Sequence, residues 1–226
     1  MRKFFITATD TDAGKTYVAC ALVKALTALN KKVAVYKPIS AGCELINGNL
    51  VNEDAQLLTA LANSGQSINE VNPIAYQAPI APHIAAQQSK QLITVDDILT
   101  GYDKVNAHQA DIVLTEGAGG WRLPLGQGHY LSDFVRETKQ QIILVVNMKL
   151  GCLNHAILTY QAIIADGLTC VAWVANCPTT MDFLQENITE LEHLLPVPRI
   201  ATLGYSEDLN IPAQQLNLSV LLANHI

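Results

Sequence analysis

The 226-residue chain is half apolar, only 15% charged and carries a net charge of −6. That is enough apolar material for a substantial core. The acidic balance, without any Lys/Arg cluster, argues against a nucleic-acid groove or an anionic-membrane surface. Five scattered cysteines (Cys20, Cys43, Cys152, Cys170, Cys177) show no C-x-x-C spacing and read as reduced thiols of a cytoplasmic protein. The early apolar run Phe4-Phe5-Ile6 stops too soon for a signal peptide, and no run reaches transmembrane length.

That run reads as a strand, and residues 17–29 read as a helix. Between them lies Ala8-Thr9-Asp10-Thr11-Asp12-Ala13-Gly14-Lys15-Thr16. Strand, tight loop and helix form the context of a phosphate-binding loop. Its amides and the positive helix end cradle an anion. Lys15 would reach the terminal phosphates, and the Thr16 hydroxyl would sit on a magnesium ion. Ala8 replaces the motif's first glycine and is small enough to keep the backbone approachable. The bland alternative is a chance Gly-Lys-Thr in an ordinary turn; the flanking pattern favours a nucleoside triphosphate.

Further along, Val33–Tyr36 is a second strand that ends at Lys37-Pro38, where proline turns the chain out of the sheet. A loop over 42–52 precedes a helix at 53–62. Residues 72–83, rich in proline, read as an ordered surface loop, and 95–107 as a helix. The apolar strand 112–115 runs into Glu116-Gly117-Ala118-Gly119-Gly120-Trp121. Then come a helix at 130–138, a strand at 142–146, a helix at 154–165, a strand at 170–175, an amphipathic helix at 182–195 and a strand at 200–203. Beyond Leu203 the pattern gives loop and a weak hydrophobic tail. Continuously apolar strands alternating with helices specify an α/β fold: one doubly wound, mostly parallel sheet with helices on both faces, spanning 1–226 as a single P-loop NTPase-like domain.

Ligands of open parallel sheets bind beyond the strands' carboxyl ends. The residues that follow each strand are therefore site candidates: the phosphate loop, Lys37, Glu116 with its glycines, Lys149, Asn176 and the segment around Gly204-Tyr205. Glu116 suits a magnesium ion, directly or through water, or it is a solvated acid at a glycine turn. Asp54 is a second metal candidate or a helix N-terminal acid. Lys37 contacts a phosphate or is an ordinary surface lysine. Asn176 reads an adenine edge or caps a turn before Pro178. His83 and His155 lack metal-ligand spacing, and Cys152 and Trp121 read as packing residues.

The loop Thr9–Thr16, Tyr36-Lys37-Pro38 and Glu116–Trp121 together resemble the dethiobiotin synthetases. So do Val71-Asn72-Pro73, Ala81-Pro82-His83, Lys149-Leu150-Gly151-Cys152-Leu153-Asn154-His155-Ala156 and Trp173-Val174-Ala175-Asn176. The resemblance runs from the N-terminus to about Asn176 and is loose beyond. It implies that 7,8-diaminononanoate, CO2 and ATP give dethiobiotin, ADP and phosphate through a carbamate and its mixed anhydride with phosphate. It makes Lys37 and Lys15 the catalytic lysines, and Thr16, Asp54 and Glu116 the ligands of Mg2+. Asp12, Ala13, Gly14, Lys15, Thr16 and Tyr17 would hold the phosphates, with Gly117, Ala118 and Gly119 alongside. Asn176 would recognise adenine, with Gly204 and Tyr205 as weaker candidates. The family's site lies at a homodimer interface, so Lys149, Gly151 and Asn154 would reach the substrate's carboxylate from the partner subunit. Substrate would also meet Ser40 or Ala41. The family carries Ser or Thr where this chain has Ala41; either Ser40 takes over that contact or the contact is absent.

Two other readings compete. Dimeric ATPase switches of the partition and division type carry an extra lysine near the loop's start, where this chain has Thr9. ATP-dependent amidoligases of cobalamin synthesis share the front end and continue into a glutaminase domain. A Rossmann dehydrogenase would need a G-x-G-x-x-G that is missing here.

Overall fold

The computed structural model describes residues 1–223. β1 (Arg2–Ala8) buries Phe4 and Ile6 on one face and Phe5 on the other. With alternate side chains apolar on both sides, the sheet must be covered twice. α1 (Lys15–Ala28) covers the Phe4 face and leads to β2 (Val33–Tyr36). β3 (Ile39–Ser40) then leaves the sheet, followed by the hairpin of β4 (Glu44–Ile46) and β5 (Asn49–Val51), by α2 (Glu53–Leu61) and by α3 (Ile68–Val71). β6 (Ile74–Ala75) returns to pair in parallel with β3. α4 (Pro82–Gln88) and α5 (Val95–Ala107) lead to β7 (Ile112–Glu116). A small hairpin, β8 (Pro124–Gly126) and β9 (His129–Tyr130), precedes α6 (Leu131–Thr138). The chain closes with β10 (Gln141–Asn147), α7 (Cys152–Ala165), β11 (Cys170–Cys177), α8 (Leu184–Leu194), β12 (Arg199–Gly204), α9 (Asn210–Gln215) and α10 (Ser219–Leu222).

Six strands form one sheet in the order β12-β11-β10-β1-β7-β2, every pairing parallel. The chain first works outward from β1 to β2, returns through β7, and then crosses to the other side. That reversal puts β1's carboxyl end at a topological switch point. On one face Phe5, Tyr36, Tyr102, Phe134 and Trp173 form the core; on the other, Ile6, Val18, Leu22, Leu26 and Leu203 do. Among the described residues, no helix is long and apolar enough to cross a membrane.

The β2 edge is sealed by side chains. Gln66 accepts the Val35 amide at 2.8 Å and donates to the Val35 carbonyl at 2.9 Å, as a neighbouring strand would. Asn63 accepts the Val33 amide at 2.7 Å.

Three segments differ from the sequence expectation. The loop at 42–52 contains the β4–β5 hairpin, which pairs across Asn47 and Gly48, both at positive φ. The proline-rich stretch 72–83 holds β6 and the start of α4, whose Pro82 lies in the first turn, where a missing N–H costs nothing. After β12 the chain forms α9 and α10 rather than loop. These helices are too short to show a period, and they form because Leu218, Leu221 and Pro212 bury, with Leu209 packed against the α1-side core. The last residues of the expected tail, 224–226, lie outside the described residues.

Candidate active site

The phosphate loop leaves β1 at Ala8, whose methyl is fully buried in the core, so the replaced glycine leaves no void. Gly14 ends the loop at φ +86°, and a Cβ there would lie 2.1 Å from Asn176 Nδ2. Conformation and space both demand glycine. Asn176 Nδ2 donates to the Ala13 carbonyl at 2.9 Å, bracing the loop from β11. Lys15 is buried at the start of α1, its Nζ donating to the Asp10 carbonyl at 3.3 Å. Burial lowers the Lys15 pKa; Glu116 opposes this, and Lys37 adds to it.

Glu116 ends β7 with its side chain 1% exposed, and two groups meet at its carboxylate. Oε1 accepts the Thr16 hydroxyl at 2.8 Å and Lys37 Nζ at 2.6 Å. Lys37 Nζ also meets Asp54 Oδ2 at 2.8 Å, at the start of α2, where Asn52 caps the helix. Burial pushes the Lys37 pKa down, but the carboxylates of Glu116 and Asp54 outweigh it and hold the ammonium above its ordinary value. Glu116 Oε2 is buried with no hydrogen-bond partner among the described residues. Two carboxylates thus share the Lys37 ammonium, and the Thr16 hydroxyl joins them at Glu116 Oε1. No group of three or more His, Cys, Asp or Glu gathers as a metal cage among those residues.

Lys37 is held from outside the main sheet. Its amide donates to the Val71 carbonyl at 2.8 Å, and Asn72 Nδ2 donates to its carbonyl at 2.7 Å. Asn72 Oδ1 accepts the Ser40 hydroxyl at 2.6 Å, so one buried amide ties both ends of 37–40. Ser67 and Glu70 form a capping box on α3, immediately before Asn72. The Ser40 hydroxyl is therefore engaged within the protein, and Ala41 offers only a methyl group.

A cleft of about 920 Å³ joins these groups. It brings together the sequence candidates Asp12, Gly14, Lys15, Thr16, Lys37, Ser40, Ala41, Asp54, Glu116, Gly117, Ala118 and Gly119. Ala13 lies buried behind the loop. Tyr17, Gly204 and Tyr205 cluster outside this cleft, beside α1, and Asn176 braces the loop rather than lining the cleft. Lys149, Gly151 and Asn154 do not line it either; Lys149 Nζ lies 3.6 Å from Asp10 Oδ2. Sequence reading missed Ile39, Asn52, Pro79, Ile80 and Leu123 in the wall, and the bracing role of Asn72. Asn52 had a legible signal, a helix N-cap before two acids; the others had none. Trp121 packs as expected, edge-on to Phe5, with Nε1 donating to Asp166 at 2.8 Å. Cys152 is buried, and burial raises its thiol pKa. A wider groove of about 1150 Å³ lies at the strands' amino ends, far from the phosphate loop.

Residues 2–213 match the family model described as an AAA domain. An ATP-dependent dethiobiotin synthetase of Alteromonas mediterranea is 51% identical over 217 residues, covering 91% of this chain and 93% of that one. The chain belongs to the ATP-dependent dethiobiotin synthetases. Synthetases of Pseudoalteromonas translucida (45% identical, 92% of each chain) and Tolumonas auensis (40%, 98% and 99%) agree. Among solved structures, a ParA family ATPase of Chlorobium tepidum superposes with TM-score 0.56 at 13% identity, over 98% of this chain and 92% of that one. A chain of the MinC:MinD complex of Aquifex aeolicus gives 0.53 at 15%, over 97% and 88%. At such identity the likeness shows the fold alone: this synthetase is built on the parallel-sheet P-loop scaffold. Membership of the synthetases makes it an ATP-dependent enzyme.

Proposed function

We propose that this cleft converts 7,8-diaminononanoate and CO2 to dethiobiotin, with ATP going to ADP and phosphate. One substrate amine attacks CO2, forming a C–N bond and releasing a proton. A carbamate oxygen then attacks the γ-phosphorus and displaces ADP. The second amine attacks the carbonyl carbon of the mixed anhydride, expels phosphate and closes the ureido ring.

The observation that carries this reading is the buried Lys37 ammonium beside the phosphate loop, fixed charged by Glu116 and Asp54. A permanent cation at that point binds the carbamate and the γ-phosphoryl oxygens together and favours their in-line meeting. Lys15 and the amides of 12–16 hold the β- and γ-phosphates. Thr16, Asp54 and Glu116 fit a hard cation such as Mg2+, which keeps waters and takes few carboxylates; the partnerless Glu116 Oε2 supports that fit. Mg2+ supplies charge neutralisation at the phosphate oxygens when bound. Asn176 Oδ1, which has no hydrogen bond among the described residues, is left to meet adenine.

The enzyme acts as a cytoplasmic homodimer in this reading, with the partner subunit's Lys149, Gly151 and Asn154 receiving the substrate carboxylate at the start of α7. Support comes from the uncapped N-terminus of that helix and from Leu150, which is 96% exposed. The test is phosphate release with ATP and magnesium, with and without diamine and bicarbonate. Diamine-dependent release with dethiobiotin in the products is expected; diamine-independent hydrolysis overturns the reading.

A further inference from the structure

Lys37 and Asn72 each stand immediately before a proline, Pro38 and Pro73. Neither proline has an N–H, so the crossing of these two segments lacks two backbone donors. The strands that follow, β3 and β6, pair over only two residues each. A side chain makes up the shortfall. The Asn72 carboxamide donates one N–H to the Lys37 carbonyl at 2.7 Å and the other to the Ile74 carbonyl at 3.5 Å. Its Oδ1 accepts the Ser40 hydroxyl at 2.6 Å.

The direction of every bond in this cluster follows from one group. A carbonyl only accepts, so the amide nitrogen must face Lys37 and Oδ1 must face Ser40. The single Ser40 proton is thereby committed to Asn72. Cys43 Sγ lies 3.1 Å from Ser40 Oγ, which leaves the thiol as the donor of that contact. A one-way chain thus runs from Cys43 to Ser40 to Asn72 and ends on the Lys37 backbone. Asn72 is 7% exposed and Ser40 and Cys43 are 3% exposed each, so bulk water does not replace a broken link.

We infer that Asn72 is the positioning residue for Lys37: its carboxamide fixes the backbone from which the ammonium reaches the phosphoryl-transfer point, and Ser40 and Cys43 hold that carboxamide one way round. The inference rests on the proposed reaction and adds the support that places its cation. Glu116 and Asp54 hold only the far end of the lysine side chain. Its flexible stem lets the near end shift while both ion pairs persist, so they set the charge and Asn72 sets the place. Misplacing a reacting group by about 1 Å costs up to about 100-fold in rate.

The test measures kcat per ATP site, with sites counted by calorimetry, and proton exchange of the Lys37 ammonium in 1H–15N spectra, its signal assigned by loss in Lys37→Ala. Asn72→Ala is expected to lower kcat about 30-fold, to keep KM for ATP within about twofold of the parent, and to speed ammonium exchange at least about tenfold. Ser40→Ala alone lowers kcat about fivefold. Added to Asn72→Ala it lowers kcat no further, because the chain is already cut. Cys43→Ala lowers kcat about threefold, and Cys43→Ser, whose hydroxyl also donates, recovers most of that loss. Parental kcat and exchange in Asn72→Ala overturn the inference, as do additive losses in the double variant. If Asn72→Ala does not fold, the other variants decide: no loss in Ser40→Ala, or no recovery in Cys43→Ser, overturns it. A parent that makes no dethiobiotin, while its ammonium exchange still depends on Asn72, supports the positioning role and overturns the reaction reading alone.

Discussion

Lys37 and Glu116 form an ion pair almost wholly removed from water, with side chains 6% and 1% exposed and N and O 2.6 Å apart. Neither charge is tolerable there alone. Lys37→Ala therefore has two expected effects. Turnover is expected to fall about 1000-fold, because the proposed reaction loses the cation that holds carbamate and γ-phosphoryl oxygens together. Stability falls by about 3–5 kcal/mol, because Glu116 is left buried without its counter-charge. ATP affinity, titrated below the lowered Tm, stays within a few-fold of the parent. A large loss of ATP affinity in the folded variant would refute the assigned role.

Glu116→Gln keeps the shape and removes the negative charge on which Thr16 and Lys37 converge. Activity is expected to need about tenfold more magnesium for half-saturation and to fall steeply even at saturating metal. Asp54→Asn, altering a group that is 39% exposed, should show the same displacement to a smaller extent. Magnesium titrations of the two variants at fixed ATP give the comparison.

Ser40 donates its hydroxyl to Asn72, and Ala41 next to it lines the cleft with a methyl group. Ala41→Ser adds a hydroxyl in that wall without disturbing the clamp. The expected outcome is a KM for the diamine lowered about three- to fivefold with kcat little changed. Ser40→Ala, by contrast, acts through Asn72 and the backbone of Lys37, so it lowers kcat more than it raises KM.

Glu70 has its carboxyl pKa held down to about 2, first by the Ser67 amide, then by the Ser67 hydroxyl and His108. A depressed carboxyl adds stability that is present above the unfolded value near 4.5 and is lost as pH falls through about 2. Glu70→Gln should therefore melt below the parent at pH 7 and converge with it as the pH approaches 2. A Tm gap that stays constant over that range would contradict the assignment.

The parts of this site that lie at strand ends were legible because an apolar run and a polar break mark each one. Lys37 before Pro38 and Glu116 before Gly117 are such breaks. Phosphate-loop glycines carry their own local signal. What could not be read are the supports at a distance. Asn72 clamps Lys37 from 35 residues away, with no periodicity linking them. Asn176 braces Ala13 across 163 residues, so the chain suggested a base contact but not a loop support. α9 and α10 were hidden for another reason: tertiary burial, not intrinsic pattern, makes them helical.

The amide side chains of Gln66 and Asn63 have a consequence for what the β2 edge can accept. A parallel sheet with a bare outer strand offers a template on which another chain can add a strand. Here the Val33 amide and both the amide and carbonyl of Val35 are already paired within the same chain. The sheet is finished on that side, and a further strand finds no open template along Val33 and Val35.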